Sequence, residues 1–382
     1  MPSRVIKHIE HSFKRILRFP FKWLLKGGDP SKLPIDPSKI NSILILRPDK
    51  MGDMISSVPV MHALKKELPH IRLEVIASPA NKELIVNDPL IDEIHIYSKN
   101  ILYDLPLIGR LKKKRFDVVY DPLTHDSVTG LLLSKLIGNK SVLVASRKLK
   151  YQKYYDYCLP YLPDGHDHNF DNGLLIFNLF EINPDTIDPF HSVFIPDNSK
   201  EKASRFFEKL PGDSGLIIGI NISAGSPTRT LSIGKYTTII NMLADKYQHC
   251  RFIIICTMNH REEANELINN SHGKCFLISE NLSLLDVCAI LAHLDFLISP
   301  DTSLVHIGRL KKIPVVGLYS GHRRNFYFWR PYRQEYGAVV AKNIQNLFDI
   351  EPKQVVDEFE RLYNSTDHAI VSNTEIKRIR FE

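Results

Sequence analysis

The sequence contains no run of about 18 apolar residues, the length that an α-helix needs to cross a membrane. Its basic N-terminus also lacks the continuous apolar stretch of a secretory signal peptide, because Lys22 interrupts the best candidate, residues 19–25. We therefore expect a cytoplasmic protein. The five cysteines are odd in number and form no CxxC pair, which argues against a disulfide framework and favours buried free thiols.

Familiar nucleotide and metal signatures are missing as well. No GxGxxG follows the first strand of either half, which weakens the case for a dinucleotide oxidoreductase, and no P-loop GK[ST] is present. His166 and His168 have no partner at metal-ligand spacing, which favours structural or solvated histidines. We expect neither a bound metal nor a cofactor.

The net charge of +7 is concentrated at one end of the chain. Residues 1–26 carry seven Lys or Arg and one acid, a net +6, so the body is nearly neutral and nucleic acid is not the predicted partner. On a helical projection these cations lie opposite apolar side chains that include Phe13 and Trp23. A basic amphipathic helix of this kind suits an anionic inner-membrane surface, and a helix packed on the body or a solvated arm are the alternatives. A second basic run, residues 110–115, is either a solvated face or a site for an anionic lipid head group.

The length of 382 residues suits two domains, and short apolar runs alternate with helical spacing in two series. This alternation predicts an α/β protein with two Rossmann-like domains, each a doubly wound parallel sheet, facing a cleft. We predict a basic segment and linker over 1–40, a first domain over 41–195, a second over 196–350, and a C-terminal helix and tail over 351–382. Residues 151–171 are predicted to form a loop, and residues 189–214 a polar connector.

Because ligands of open α/β sheets bind beyond the carboxyl ends of the strands, the loops after the strands are the candidate site. The first strand ends in Arg47-Pro48-Asp49-Lys50-Met51-Gly52-Asp53, where an acid that nearby cations keep ionised could serve as a general base. In the second series, one strand is followed by Pro300-Asp301-Thr302-Ser303-Leu304-Val305-His306, and hydroxyl residues that open a helix favour an anion. A glycine-containing loop, Ser223-Ala224-Gly225-Ser226-Pro227-Thr228-Arg229, could clamp the same phosphates. Helix capping is the simpler alternative for both acids.

At these loops the sequence resembles the ADP-heptose:lipopolysaccharide heptosyltransferases of glycosyltransferase family 9. The matching segments are ILILRPDKMGDMISSVPVMHALKKELPHIRLEVIAS, NISAGSPTRTLSIGKY and LISPDTSLVHIGRLKKIPVVGLYSG. The segment DHNFDNGLLIFNLFEI is similar to the family's interdomain helix. The resemblance runs from about residue 43 to residue 336, in the family's order.

The resemblance implies the GT-B architecture and an inverting, metal-independent transfer of heptose from ADP-heptose to a lipopolysaccharide inner-core acceptor. It implies that Asp53 is the general base. The implied donor contacts are Arg229, Thr228, Asp301, Thr302, Ser303, His306 and Glu262. The implied acceptor contacts are Arg47, Lys50, Gly52 and His125. The nucleotide sugar and a lipid-linked saccharide are then substrates, and the enzyme would lie on the inner face of the inner membrane.

The chain departs from the family pattern at three places. Ser303 replaces a glycine, which would strain the backbone if that position needs a positive φ. Residues 320–325, SGHRRN, replace a GPTDP-like stretch, and Arg261 or Glu263 could take the ribose position instead of Glu262. A family member with another nucleotide sugar or acceptor and a non-catalytic scaffold at the membrane surface therefore stay as alternatives.

Overall fold

The computed structural model describes residues 27–33, 35–123, 126–138, 140–146, 150–160, 168–188, 193–211, 215–331 and 334–366. The predicted amphipathic segment, residues 1–26, and His125 lie outside the described residues. Within the described residues, no helix is both long and apolar enough to cross a bilayer.

The first half of the chain builds a six-stranded sheet in which every pairing is parallel, in the order β3-β2-β1-β4-β5-β6. Its strands are β1 (Ser42–Arg47), β2 (Arg72–Ala77), β3 (Glu93–Ile96), β4 (Val118–Asp121), β5 (Val142–Ser146) and β6 (Tyr157–Leu159). Its helices are α1 (Met51–Glu67), α2 (Ile101–Lys114), α3 (Val128–Ile137) and α4 (Asn169–Leu174), and a 3-10 helix over Leu175–Phe180 continues α4. Runs of β-branched and leucine residues form these strands because both faces of the sheet are covered.

The second half repeats the plan with a sheet in the order β12-β11-β10-β7-β8-β9, again parallel throughout. Its strands are β7 (Ile217–Asn221), β8 (Arg251–Ile255), β9 (Lys274–Leu277), β10 (Phe296–Pro300), β11 (Val315–Tyr319) and β12 (Tyr336–Val340). Its helices are α5 (Asp197–Glu208), α6 (Ile233–Lys246), α7 (Arg261–Asn270), α8 (Leu284–Ala292), α9 (Ser303–Leu310), α10 (Arg323–Trp329) and α11 (Pro352–Ser365). The predicted fold class, two Rossmann-like sheets in the GT-B arrangement, is confirmed.

Residues of β1 point alternately to the two faces of the first sheet and so separate two cores. Ile43 and Ile45 belong to the core beneath α1, whereas Leu44 and Leu46 belong to a smaller core beneath α2 and α3. The larger core continues without a break into the second half of the chain, where α8 and α9 contribute apolar side chains such as Leu304. Helix α1 therefore packs against α9, and the two sheets share buried apolar surface.

The junction between the halves is centred on α4. The ring of Phe170 is 1 % exposed, and the guanidinium of Arg309, on α9, lies 4.2 Å from its centroid. His168, the N-cap of α4, accepts a hydrogen bond from the Phe170 N–H at Nδ1 (3.3 Å), and its Nε2 therefore donates to the carbonyl of Arg330 at 2.7 Å. Burial lowers the pKa of His168 well below its ordinary value, so this structural histidine is neutral at pH 7.

Three sequence-based assignments differ from the structure. Residues 151–171 are not one loop, because they contain β6 and the start of α4. The connector over residues 189–214 contains α5, whose Ala203 is buried in the larger core. Strand β12 was not predicted, because its Tyr-Gly-Ala-Val-Val segment is short and lies at a sheet edge, where only pairing with β11 defines it.

We expect Phe170→Ala to lower the free energy of unfolding by about 3–5 kcal/mol, because it removes a buried ring and leaves a cavity against Arg309. Denaturant unfolding measures this, with Phe348→Ala as the matched control because that ring is 61 % exposed. The control should change stability by less than about 0.5 kcal/mol. Equal unfolding midpoints for the two variants would show that Phe170 does not support the junction.

Candidate active site

The candidate site comprises the loop that follows β1 in the first sheet and the loops that follow β7, β10 and β11 in the second. In a parallel sheet the carboxyl ends of the strands share one edge, and helix N-termini follow them. Residues far apart in sequence are therefore brought together: Asn221 with Thr302, Arg229 with Asp301, and Asp301 with Asn325.

Arg47 ends β1 and is 4 % exposed. Its guanidinium donates to the Ser57 hydroxyl at 2.6 Å, to Asp49 Oδ2 at 2.7 Å and to the carbonyl of Pro122 at 3.4 Å. Burial works against the cation, but the carboxylates of Asp49 and Asp53 outweigh it and raise the pKa of Arg47 above its ordinary value. Arg47 is therefore a buried positive charge beneath the loop, and all its hydrogen bonds in the described residues are internal.

Asp53 lies in the first turn of α1 and is half-buried. Its main-chain carbonyl accepts hydrogen bonds from the hydroxyls of Ser56 (2.9 Å) and Ser57 (3.0 Å), which fix this turn over Arg47. A Cβ placed on Gly52 would meet no atom within 4 Å, so the space beside this residue is open. Lys50, the residue before α1, is exposed on the same loop. The loop thus carries a half-buried carboxylate and an exposed cation on either side of Gly52.

On the second sheet, Arg229 and Asp301 form an ion pair. The Arg229 Nη2 donates to Asp301 Oδ2 at 2.6 Å and to the Asp301 carbonyl at 2.8 Å. Asn325 donates to the same carboxylate oxygen at 3.0 Å. Burial raises the pKa of Asp301, and the charge of Arg229 and the amide of Asn325 oppose that rise. Among the described residues, no group donates a hydrogen bond to Asp301 Oδ1, and no group accepts one from Nη1 or Nε of Arg229. Both side chains can therefore still form hydrogen bonds with a ligand.

Thr302 caps α9, with its hydroxyl accepting from the Leu304 N–H at 3.3 Å. The amide of Asn221 donates to the hydroxyls of Ser299 (2.9 Å) and Thr302 (3.2 Å), which ties the ends of β7 and β10 together. Ser303 is the first residue of α9 and is not among the non-glycine residues with positive φ. Serine at this position therefore carries none of the backbone strain that a glycine requirement would impose.

The other predicted donor residues differ in their exposure to solvent. Thr228 is exposed and its hydroxyl lies 2.9 Å from that of Ser226. Glu262 is exposed in the first turn of α7, whereas Arg261 donates to the carbonyl of Ile278 at 2.9 Å. His306 is only 3 % exposed, one turn into α9, and so lies beneath the loop.

Sequence reasoning missed Asn221, Ser299 and the contact that Asn325 makes with Asp301. Residues 320–325 depart from the family pattern and follow β11, which pairs with β10. That position was the signal that could have identified Asn325. Gly321 in that segment is confined, because a Cβ there would lie 2.7 Å from the carbonyl oxygen of Ala341. The close approach of the chain after β12 therefore requires glycine at this position.

Within the part of the chain that the structure describes, one group of three potential metal ligands is found, Glu74, Glu93 and His95. Both carboxylates also accept hydrogen bonds from Arg72 and Lys114. Burial opposes ionisation of Glu74, but hydrogen bonds from His95, Lys114 and Arg72 lower its pKa to about 2. The group is an ion-pair network away from the loops of the candidate site, because Glu93 begins β3.

A comparison with family models identifies one family. The model of glycosyltransferase family 9 (heptosyltransferase) matches residues 166–358. The lipopolysaccharide core heptosyltransferase OpsX of Haemophilus influenzae is 22 % identical over 76 % of this chain and 82 % of its own length.

Solved structures of similar fold include a family 9 glycosyl transferase from Veillonella parvula, with a TM-score of 0.74 and 16 % identity over 87 % of this chain and 99 % of that one. The Escherichia coli heptosyltransferase WaaC with ADP-2-deoxy-2-fluoro heptose has a TM-score of 0.65 and 16 % identity over 84 % and 99 % of the two chains.

His306 predicts a pH dependence of stability. Burial and then the charge of Arg309 lower its pKa to about 3, so the unfolded chain takes up the proton first as the pH falls below about 6.5. The stability that neutral His306 provides is complete above pH 6.5, and about 2 kcal/mol of it should be lost by pH 5. His306→Gln should flatten the dependence of unfolding free energy on pH by that amount. His272→Gln, at a side chain 57 % exposed, is the control that should not. Parallel pH profiles for wild type and His306→Gln would contradict the assignment.

Proposed function

Since the chain belongs to glycosyltransferase family 9, the heptosyltransferase family, we propose that it transfers a heptose from ADP-heptose to a lipopolysaccharide inner-core acceptor. The chain is a glycosyltransferase, and the family model covers α4 and almost all of the second sheet with its helices. The proposal concerns the donor, the acceptor and the mechanism.

The observation that carries the proposal is the pairing of Arg229 with Asp301 beside Thr302. Arg229 is 44 % exposed and retains the N–H groups of Nη1 and Nε for charge-assisted hydrogen bonds to a diphosphate. The N-terminus of α9, with Thr302 and Ser303, adds main-chain N–H groups and the positive end of the helix dipole. We expect Asp301 Oδ1 to accept a hydrogen bond from a sugar hydroxyl.

The choice of ADP-heptose is supported by relatives. The WaaC structure of similar fold contains an ADP-heptose analogue, and OpsX is named as a lipopolysaccharide core heptosyltransferase. Thr228 and Glu262 are proposed to meet the donor from the loop after β7 and from the start of α7. The buried position of His306 favours support of the α9 loop over a direct donor contact for this residue.

In the proposed reaction, Asp53 accepts the proton of an acceptor hydroxyl as the hydroxyl oxygen attacks the anomeric carbon of the donor. The bond between that carbon and the diphosphate oxygen breaks on the opposite face, so the configuration inverts and ADP leaves. Arg229 and the N–H groups at the start of α9 stabilise the negative charge that develops on the diphosphate. Atoms and charge balance without a further reactant.

Arg47 is proposed to position the base rather than to bind the acceptor. It donates to Ser57, whose own hydroxyl donates to the Asp53 carbonyl, and it also donates to the carboxylate of Asp49. Lys50, Gly52 and His125 are the proposed acceptor contacts, of which Lys50 is exposed and Gly52 borders open space.

Residues 1–26 are proposed to hold the enzyme at the inner face of the inner membrane. Their net charge of +6 and their apolar side chains suit an anionic bilayer, where a lipid-linked acceptor would be found.

Transfer is expected to proceed without a divalent metal or a cofactor, because Arg229 and the α9 N-terminus supply the positive charge for the leaving group. The test is incubation with ADP-heptose and a heptose-deficient core acceptor in excess EDTA. ADP release and a mass gain of one heptose are expected. Loss of transfer that Mg²⁺ restores would contradict metal independence. Transfer only from a UDP, GDP or CMP sugar would reassign the donor, and ADP binding without any transfer would favour a scaffold.

We expect Asp53→Asn to lower kcat by at least about 10²-fold, since general base catalysis contributes about 10²–10⁴-fold. The affinity for ADP, measured by calorimetry, should stay within a few-fold, because the donor loops belong to the other sheet. Asp245→Asn is the matched control, at a carboxylate 72 % exposed on α6. If Asp53→Asn turns over normally, Asp53 is a helix-end residue only and Asp49 is the next candidate base.

A further inference from the structure

The segment that follows β11, residues 320–330, has the sequence SGHRRNFYFWR and contains three arginines and no acid. Two of these arginines, Arg323 and Arg324, are exposed. Within the described residues, neither forms an ion pair or donates a side-chain hydrogen bond, although the guanidinium of Arg323 lies 5.6 Å from the centre of the Tyr327 ring. Both positive charges are therefore available to an anionic ligand.

Helix α10, which begins at Arg323, is anchored near both ends. The Asn325 amide, in its first turn, donates to Asp301 Oδ2 at 3.0 Å. Just past its last residue, the carbonyl of Arg330 accepts a hydrogen bond at 2.7 Å from Nε2 of His168, the N-cap of α4. With a rise of about 1.5 Å per residue, this seven-residue helix spans about 10 Å. Helix α10 therefore bridges the carboxylate of the proposed donor site and α4.

Helix α4 continues this bridge to the proposed base. The amide of Asn169, the residue after His168, donates to the Ser56 hydroxyl at 2.7 Å, and that hydroxyl donates to the Asp53 carbonyl at 2.9 Å. A continuous series of contacts thus runs from Asp301 through α10 and α4 to the turn that carries Asp53. In the proposed reaction, the donor sugar and the acceptor meet between these two carboxylates, so α10 lies beside the place where they react.

The order of the strands indicates which part of the substrates comes nearest to these arginines. Along the second sheet the neighbours are β11, β10, β7 and β8, and the segments that follow them contain Asn325, Asp301, Arg229 and Glu262 in that order. With the diphosphate at Arg229 and the ribose at Glu262, the transferred sugar extends toward the segment after β11. A heptose is uncharged, so an anionic group at this end would have to belong to the acceptor.

We propose that Arg323 and Arg324 bind a carboxylate or phosphate group of the acceptor saccharide and thereby select an anionic acceptor. A guanidinium can donate two parallel hydrogen bonds to either group, which a lysine cannot reproduce. The inference deepens the proposed function and rests on it for the uncharged sugar and for the position of the diphosphate.

The experiment measures acceptor saturation by the full chain with ADP-heptose as the donor. The acceptor is a heptose-deficient core saccharide, used intact, after removal of its phosphates, or after reduction of its carboxylates to alcohols. The test variant is Arg323→Gln/Arg324→Gln, and the charge-matched control is Lys209→Gln/Lys274→Gln, at two exposed cations elsewhere in the second half. Arg324→Gln alone leaves the contact of Arg323 with Tyr327 intact, so it is informative even if the double variant disturbs α10.

For the intact acceptor, we expect the test variant to raise KM at least about tenfold with kcat within about threefold, because charge-assisted hydrogen bonds to a part of the acceptor that does not react are lost. Arg324→Gln should raise KM in the same direction by less, and the control should match wild type. Arg323→Lys/Arg324→Lys should restore part of the acceptor affinity. The modified acceptor on which wild type and test variant no longer differ identifies the bound group as phosphate or carboxylate.

Equal KM values for the test and control variants would overturn the proposal, as would a wild type that uses the intact and both modified acceptors equally well. Weaker ADP binding by the test variant in calorimetry would also overturn it and would assign the arginines to the diphosphate. If wild type transfers no heptose, the proposed function fails, and titration of the intact saccharide into the ADP complex still tests the arginines. Saccharide binding that the test variant loses and the control keeps would then support the proposal, and equal binding would overturn it.

Discussion

The guanidinium of Arg309 lies 4.2 Å from the centre of the Phe170 ring, and the relative placement of the two sheets depends on this contact. Arg309 is fully buried, so its charge needs the aromatic face and the surrounding polar groups in place of water. Phe170 belongs to α4, which follows the first sheet, and Arg309 belongs to α9, which begins at the Thr302 loop. The same helix therefore contributes to the junction at one end and to the candidate donor site at the other.

Two arginines at strand ends have opposite roles because their burial differs. Arg47 is buried beneath the first loop, where Asp49 and Asp53 stabilise its charge and its hydrogen bonds are internal. Arg229 is 44 % exposed and donates from one nitrogen to Asp301, so its other two nitrogens stay available to a ligand. A buried cation such as Arg47 can orient a carboxylate, whereas an exposed cation such as Arg229 can bind an anionic ligand. The proposed mechanism uses Arg47 in the first way and Arg229 in the second.

The regular elements could be predicted from local pattern, and the irregular ones could not. Apolar runs such as residues 43–46 and 315–319 have the length and composition of buried parallel strands, and the structure contains strands there. The three-residue strand β6 and the edge strand β12 exist only through pairing with β5 and β11. Their own residues include tyrosine, glycine and cysteine in short segments, which carry no periodicity.

The sequence by itself determined the family, the two-sheet α/β plan and the loops that hold the candidate site, because strand composition and loop motifs are local properties. Only the tertiary structure decided which of those loop residues reach the cleft. Arg47 at the end of β1 and Arg229 in the loop after β7 have the same chemistry, yet Arg47 is buried and Arg229 is exposed. The contact of Asn325 with Asp301 was decided in the same way. Burial depends on neighbours that are distant in sequence, so pattern alone does not reveal it.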